Sequence, residues 1–190
     1  MNIGSSTGVF RSVDQPHVGG LFERLQKTGV RVVHCDLKEA DGVDEVGDVL
    51  DPAFQDRMRA YDADVLLCSN LLEHLTDPKS FAAACGSMVR AGGHGLFTVP
   101  YSYPYHADPI DTMFRPTPDE LVQLLPGWQI DRGQIIEAGR FRPRPWQLVK
   151  HLGRVAMPFY RSHGWRSMTH RLLWLFRPYR QTMLLARKPG

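Results

Sequence analysis

Asn2-Ile3-Gly4-Ser5-Ser6-Thr7-Gly8 is a short apolar start that runs directly into a loop of small residues. The residues downstream decide its meaning. Pro16 to Lys27 reads as a helix, with proline near its start and Gly29 at its stop. Val30-Arg31-Val32-Val33-His34-Cys35 is then a β-branched run ending at Asp36, the pattern of a buried strand. Strand, small-residue loop, helix and strand open an alternating α/β chain.

The alternation continues. Glu45-Val46-Gly47 is a shorter strand ending at Asp48, and a helix covers 52–60. Asp64-Val65-Leu66-Leu67-Cys68 is the clearest strand, leading into Ser69 and Asn70. The Ala-rich stretch from Pro78 to Arg90 is an amphipathic helix that Ala91-Gly92-Gly93 terminates, before a strand over Gly95 to Pro100. Thr117-Pro118-Asp119-Glu120 sets a cap, a first-turn proline and a capping-box glutamate ahead of Leu121. Trp128 to Ile136 and Gln181 to Arg187 are two further strands. The expectation is one domain over 1–190, a Rossmann-like doubly wound sheet of about seven strands covered on both faces.

Composition bounds the alternatives. With 43% hydrophobic residues in 190, the chain can bury a continuous core and is not a disordered segment. No apolar run approaches a membrane span, and the first residues lack a secretory profile. Cys35, Cys68 and Cys85 lie in apolar segments without paired spacing, so neither a disulfide framework nor a zinc site is indicated, and a cytoplasmic location is expected.

The net charge of +3 conceals an asymmetry. Residues 1–139 hold 11 Lys/Arg and 20 acids, a net −9, whereas residues 140–190 hold 12 Lys/Arg and no acid. Within 140–180, a basic helical insertion is expected before the last strand: Leu148, Leu152, Val155 and Phe159 recur at helical spacing, as do Trp165, Met168, Leu172 and Leu175, with Pro158 and Gly164 between the two helices. One reading packs these stripes on the sheet as a lid, the basic charge docking onto the acidic remainder. The other lays them on an anionic membrane at its inner face. The two are compatible.

In sheets of this kind ligands bind beyond the carboxyl ends of the strands, at the switch in strand order. Asn2, Gly4, Asp36, Asp48, Ser69, Asn70 and Tyr101 stand at those ends. A carboxylate is acceptor-only, so Asp36 and Asp48 together suit a nucleoside, one on the ribose hydroxyls and the other on an exocyclic amine. Each is alternatively an ordinary turn or cap residue. Gly4-x-Ser6-x-Gly8 also fits a hydrolase nucleophile elbow, but only three residues precede it, and the loop lacks the G-x-G-x-x-G of a nicotinamide dehydrogenase.

Beyond the strand ending at Pro100, Tyr101 to Asp111 combines aromatics with a histidine and two acids. His106, with Asp108 or Asp111 behind it, is the preferred general base, and His74 is the second candidate. A turn in which His-x-Asp-Pro bonds its own backbone is the alternative. No metal site is assigned, because these ligands are dispersed and lack a fourth.

The ordered set of Asn2 to Gly8, Asp36, Gly47-Asp48, Ser69-Asn70, Leu72-Glu73-His74 and Gly92-Gly93 before Leu96-Phe97-Thr98-Val99-Pro100 resembles the class I S-adenosylmethionine-dependent methyltransferases, particularly the small-molecule type with an LEH segment after the fourth strand. The resemblance covers about 1–136 and the closing strand. It implies that Gly4, Ser6 and Gly8 form the turn under the methionine part of S-adenosylmethionine, that Asp36 holds the ribose and Asp48 the adenine, and that Ser69 or Asn70 lies beside the sulfonium. Asn2 joins this cofactor set. The family usually has an acid where Asn2 stands and a glycine where Ser6 stands, and the helix that normally precedes the motif is missing. The activity implied is methyl transfer to a small-molecule, glycan or lipid-linked acceptor, at a hydroxyl. No nucleic-acid partner is expected, since Ser69-Asn70 leads into Leu71-Leu72 rather than two prolines. The alternative is a non-catalytic relative that binds an anionic membrane or a partner through its basic quarter.

Overall fold

The computed structural model describes residues 1–106, 110–155 and 174–190. Seven strands form one sheet: β1 (Asn2–Ile3), β2 (His34–Asp36), β3 (Glu45–Val46), β4 (Ala63–Ser69), β5 (Val89–Ser102), β6 (Gln129–Arg140) and β7 (Pro178–Arg187). Their spatial order is β3-β2-β1-β4-β5-β7-β6. The first five run parallel, and β7 inserts antiparallel between β5 and β6.

Helices α1 (Pro16–Lys27), α2 (Pro52–Arg59) and α3 (Pro78–Ser87) connect the parallel strands, and α4 (Pro118–Val122) and α5 (Pro145–Val155) come after them. The chain moves one way from β1 to β2 and the other way from β4 to β5, so right-handed crossovers put α1 and α3 on opposite faces. The order reverses between β1 and β4. Proline stands at the start of each of α1 to α4, and Asp51, Asp77 and Thr117 cap α2, α3 and α4. Thr117 and Glu120 complete the capping box expected there.

The core runs through the middle of the sheet, where Ile3, Leu66, Cys68, Phe97, Val99, Leu184 and Ala186 are buried together with Phe54, Met58 and Cys85 from the helices. Full burial of a side chain such as Leu66 or Phe97 contributes roughly 1.5–3 kcal/mol.

Several boundaries differ from the sequence expectation: β6 runs on past Ile136 to Arg140, and β7 begins at Pro178 rather than Gln181, the two extensions pairing with each other. β2 starts at His34 rather than Val30, because β1 offers only Asn2 and Ile3 as ladder partners, opposite His34 and Cys35. α3 stops at Ser87, and Ala91-Gly92-Gly93 lies inside β5 rather than ending a helix. There the register slips: Ala63 pairs Val89, but Val65 pairs His94. Gly92 absorbs the surplus at φ +70°, and a Cβ on Gly93 would stand 2.9 Å from the Asp64 carbonyl oxygen. The basic insertion is represented by α5, whose Trp146, Val149 and Leu152 are exposed. Phe159, Trp165, Met168 and Leu172 of the expected stripes lie outside the described residues. No helix among the described residues is long and apolar enough to cross a membrane.

Asn2 and His34 join the first two strands through their side chains as well as their backbones. The Asn2 amide donates to His34 Nδ1 at 3.1 Å, which leaves the ring proton on Nε2, and Phe22 packs edge-on against the ring at 4.8 Å. Burial first, and then the charge on Arg11, push the His34 pKa from 6.5 down to about 4, against the pull of Asp44. The unfolded chain takes up this proton near 6.5 and the native one near 4, so native stability is complete above that window and falls as the pH drops through it. The total is on the order of 3 kcal/mol. Urea unfolding should therefore lose about 2 kcal/mol between pH 6.5 and pH 5 in the native sequence and clearly less in His34→Gln; equal losses would remove His34 as the cause.

Candidate active site

A cavity of about 820 Å³ opens at the carboxyl ends of the strands, where the order reverses. Asn2, Gly4 and Ser6 reach it from β1, Asp36 and Asp48 from the ends of β2 and β3, and Ser69 and Asn70 from β4. Gly8 does not line it. Its N–H donates to the Asp41 carbonyl at 2.8 Å, and the Gly42 backbone packs close against it, so Gly8 serves the contact between two loops.

The turn after β1 has unusual backbone geometry. Gly4 sits at φ +67°, and a Cβ there would meet Leu71 at 2.7 Å. Ser6 also has a positive φ, +54°, a region that disfavours any side chain. Two bonds hold it there: its N–H donates to Asp36 Oδ2 at 2.8 Å, and its carbonyl accepts from Arg11 Nη1 at 2.7 Å. Asp36 Oδ1 accepts in turn from the Lys38 N–H at 3.1 Å.

Arg11 belongs to none of the motifs read in the sequence. It lies in a π-helical turn over Phe10–Asp14, is 7% exposed, and donates to the carbonyls of Ser5, Ser6 and Gly42. Burial lowers its pKa, while Asp44, Asp36 and Asp41 act in the opposite direction.

Asp48 accepts from the Leu50 N–H at 2.9 Å through Oδ1, the turn role open to it in the sequence, and it also faces the cavity. Leu37 and Leu50, directly beyond the two acids, line the mouth yet remain 65% and 49% exposed. Ser69 Oγ and Thr98 Oγ1 share a hydrogen bond of 2.8 Å on the wall, and Asn70 sits at φ +49°, its Oδ1 accepting from Gln181.

The far side of the cavity is built by His74 and its neighbours. A 3₁₀ turn over Leu72–His74 comes after β4, and the N–H and hydroxyl of Thr112 both donate to the Glu73 carbonyl at 2.9 Å. That clasp brings the segment beyond β5 onto the turn. His74 Nδ1 meets the Ile110 carbonyl, which can only accept, so Nδ1 carries a proton and donates it there. Nε2 points toward Glu73 Oε1 at 3.7 Å. The His106 ring packs edge-on to His74 at 5.0 Å, with Tyr103 beyond it at 5.7 Å. His106 is not on the cavity wall itself.

Asp111 is the acid behind His106. Its Oδ2 lies 3.2 Å from His106 Nδ1, accepts from the His106 N–H, and takes Arg115 Nη2 at 2.7 Å. Burial raises its pKa most, but the bonds from Arg115, Met113 and His106 together outweigh it and hold the carboxyl below its usual value. Asp108 lies outside the described residues. Glu73, 1% exposed, has its pKa raised chiefly by burial. Its place in this cluster, like that of Arg115, depends on the Thr112 clasp and has no local sequence signal.

No family model matches the chain. Among solved structures, an S-adenosylmethionine-dependent methyltransferase from Archaeoglobus fulgidus superposes with a TM-score of 0.54 at 15% identity, covering 98% of this chain and 84% of its own. Phosphoethanolamine N-methyltransferase 2 of Haemonchus contortus, solved with S-adenosyl-L-methionine, gives 0.51 at 14% identity and covers 100% and 48%. The chain has the class I methyltransferase fold. Among curated sequences, a ubiquinone biosynthesis O-methyltransferase of Vibrio atlanticus is 28% identical over 101 residues, 52% of this chain and 41% of that protein. One of the same description from Cronobacter sakazakii is 46% identical over 35 residues. The chain thus aligns with less than half the length of either curated relative.

Replacing Arg11 by methionine keeps its apolar bulk and strands the Ser5 and Gly42 carbonyls, while the Ser6 carbonyl keeps only the Ser5 hydroxyl at 3.2 Å. A buried acceptor left unpaired costs about 1–3 kcal/mol, so Arg11→Met should lower unfolding stability by roughly 2–5 kcal/mol in urea. A change below about half a kcal/mol would show that the turn holds itself.

Proposed function

We propose that this protein transfers the methyl group of S-adenosylmethionine to an oxygen of a small hydroxylated acceptor. The observation that carries the reading is the convergence of the Gly4–Ser6 turn, Asp36 and Asp48 on one cavity at the switch in strand order. Its volume of about 820 Å³ lies in the ~300–1,000 Å³ range that encloses ligands of this size.

The residues suit the cofactor group by group. Asp36 gives one lone pair of each oxygen to the Ser6 and Lys38 N–H groups, and the remaining pairs face the cavity to accept two ribose hydroxyls. Asp48 accepts from an exocyclic amine, and Leu37 and Leu50 give the purine an apolar surface. The Gly4 backbone, free of a Cβ, lets the ligand approach closely.

When bound, S-adenosylmethionine supplies an electrophilic methyl carbon on sulfur. Ser69 and Asn70 provide hydroxyl and carbonyl oxygens beside it. The acceptor oxygen forms its bond to carbon as the carbon–sulfur bond breaks, the electron pair stays on sulfur, and the hydroxyl proton is released on the His74 side. Holding the two reacting atoms in line contributes roughly 7–11 kcal/mol of effective concentration. Oxygen as acceptor draws support from the O-methyltransferase description of the curated relatives. The exposed Trp146, Val149 and Leu152 of α5, next to exposed Arg142, Arg144 and Lys150, favour a peripheral contact with anionic lipid that would present an apolar acceptor.

Calorimetric titration tests the reading. S-adenosylhomocysteine should bind one per chain, and Asp36→Ala should weaken it at least tenfold while circular dichroism stays unchanged. Absence of heat at millimolar ligand would defeat the proposal.

A further inference from the structure

Asn2 is the polar residue of β1, 6% exposed, and it borders the cavity where the strand runs into the Gly4–Ser6 turn. Its amide nitrogen donates to His34 Nδ1 at 3.1 Å, and among the described residues nothing donates to its Oδ1. The enclosed side-chain atoms without a hydrogen-bond partner are Glu73 Oε2, His106 Nδ1 and Arg115 Nε, all of them around His74 rather than here. Asn2 Oδ1 is therefore open, and the space it opens onto is the cavity.

A primary amide has a donor at one end and an acceptor at the other, and a half-turn of its last torsion exchanges them. The partner ring decides which end faces outward. A neutral imidazole with its proton on Nε2 accepts at Nδ1, so it takes the amide N–H and leaves the oxygen toward the cavity. A ring with a proton on Nδ1 would take the oxygen instead and turn the NH₂ group outward. The surroundings hold His34 in the first state. Burial and the charge on Arg11 disfavour a second proton, against Asp44. Phe22 packs edge-on against the ring, and the His34 N–H and carbonyl are both bonded to Asp44, at 2.7 and 2.8 Å.

We propose that His34 is a positioning residue for cofactor binding: by taking the Asn2 amide N–H, it presents the Asn2 carbonyl oxygen to the α-ammonium group of S-adenosylmethionine. The role rests on the methyl-transfer reading, with the methionine part of the cofactor at the Gly4–Ser6 turn. An ammonium has three donors and no lone pair, so it is the group of that end which an outward oxygen suits, whereas an outward NH₂ would repel it. A neutral pair does this without burying a carboxylate, whose removal from water is far more costly than that of an amide. A pair serving only to join β1 to β2 would do so with either end of the amide on the ring. The cavity side is where the two orientations differ.

The test compares two ligands by calorimetry on the full chain. S-adenosylhomocysteine carries the ammonium, and methylthioadenosine shares its nucleoside and thioether but lacks the amino-acid end. His34→Phe keeps a ring against Phe22 and removes the Nδ1 acceptor. It should weaken S-adenosylhomocysteine about tenfold and leave methylthioadenosine within about twofold. In the Asn2→Asp background the two oxygens are alike and need no orienting, so His34→Phe should there change S-adenosylhomocysteine binding by less than about twofold. Equal losses for both ligands, or a loss that persists in the Asn2→Asp background, overturn the positioning role. Nitrogen NMR of the native chain with S-adenosylhomocysteine bound gives a second measurement should His34→Phe not fold: His34 should be neutral with its proton on Nε2, and a proton on Nδ1 overturns the role. Failure of S-adenosylhomocysteine to bind the native chain defeats the methyl-transfer reading and this role with it, whereas binding that ignores His34→Phe defeats this role alone.

Discussion

The carboxylate of Asp36 ties the end of β2 to the turn after β1, and the shape of the cavity depends on that tie. β1 is two residues long, so its ladder alone cannot fix the direction in which the chain leaves the sheet. Ser6 must adopt a positive φ for the turn to close, and the bond from its N–H to Asp36 Oδ2 offsets the strain. Arg11 completes the arrangement from the other side by gathering carbonyls that the tight turn leaves without strand partners. A carboxylate that receives main-chain N–H groups and a guanidinium that gives to main-chain carbonyls together replace a longer strand. The residue that in the resembling family is a glycine, Ser6, stands at the position where the backbone would most favour one.

The alternation of strands and helices is legible because its signals are local. Prolines at helix starts, acidic or threonine caps, and β-branched runs lie within a few residues of the elements they define, and Thr117 to Glu120 form the cap their spacing indicates. Boundaries are less legible where a partner strand decides them. Val30 belongs to a run that any propensity reads as strand, yet only residues opposite Asn2 and Ile3 find a ladder. Gly92 and Gly93 carry the signal of a helix stop, but the same conformational freedom lets a strand absorb a register slip. Glycine punctuates both events alike, and the sheet settles which one occurs.

The site divides in the same way. Asp36 and Asp48 are visible as acids at strand ends. Arg11 is not, because its carbonyl partners reach as far as Gly42, 31 residues away, and no pattern announces a buried arginine that serves only backbone oxygens. Glu73 is visible only as part of an LEH triplet. Its meeting with His106 comes from Thr112, whose two bonds to the Glu73 carbonyl span 39 residues. A clasp of that kind is a property of the folded loop, and no local sequence feature encodes it.

The two sides of the cavity are built on opposite electrostatic principles. Around the Gly4–Ser6 turn the buried or half-buried charges are answered by the main chain, Asp36 by N–H groups and Arg11 by carbonyls, so this side is rigid before any ligand arrives. Around His74 a buried carboxylate and two imidazoles confront one another, and the order supplied by Arg115, Asp111 and the Ile110 carbonyl holds them in place without satisfying them. Removing a charge from water is unfavourable, and a fold that meets its polar groups almost everywhere else among the described residues concentrates the exceptions here. Structural stability alone gives no reason to bury Glu73 against lone pairs, since an apolar side chain of similar size would fill the space at lower free energy. Burial raises the Glu73 pKa accordingly, and a proton held by the cluster relieves the confrontation without any change of fold.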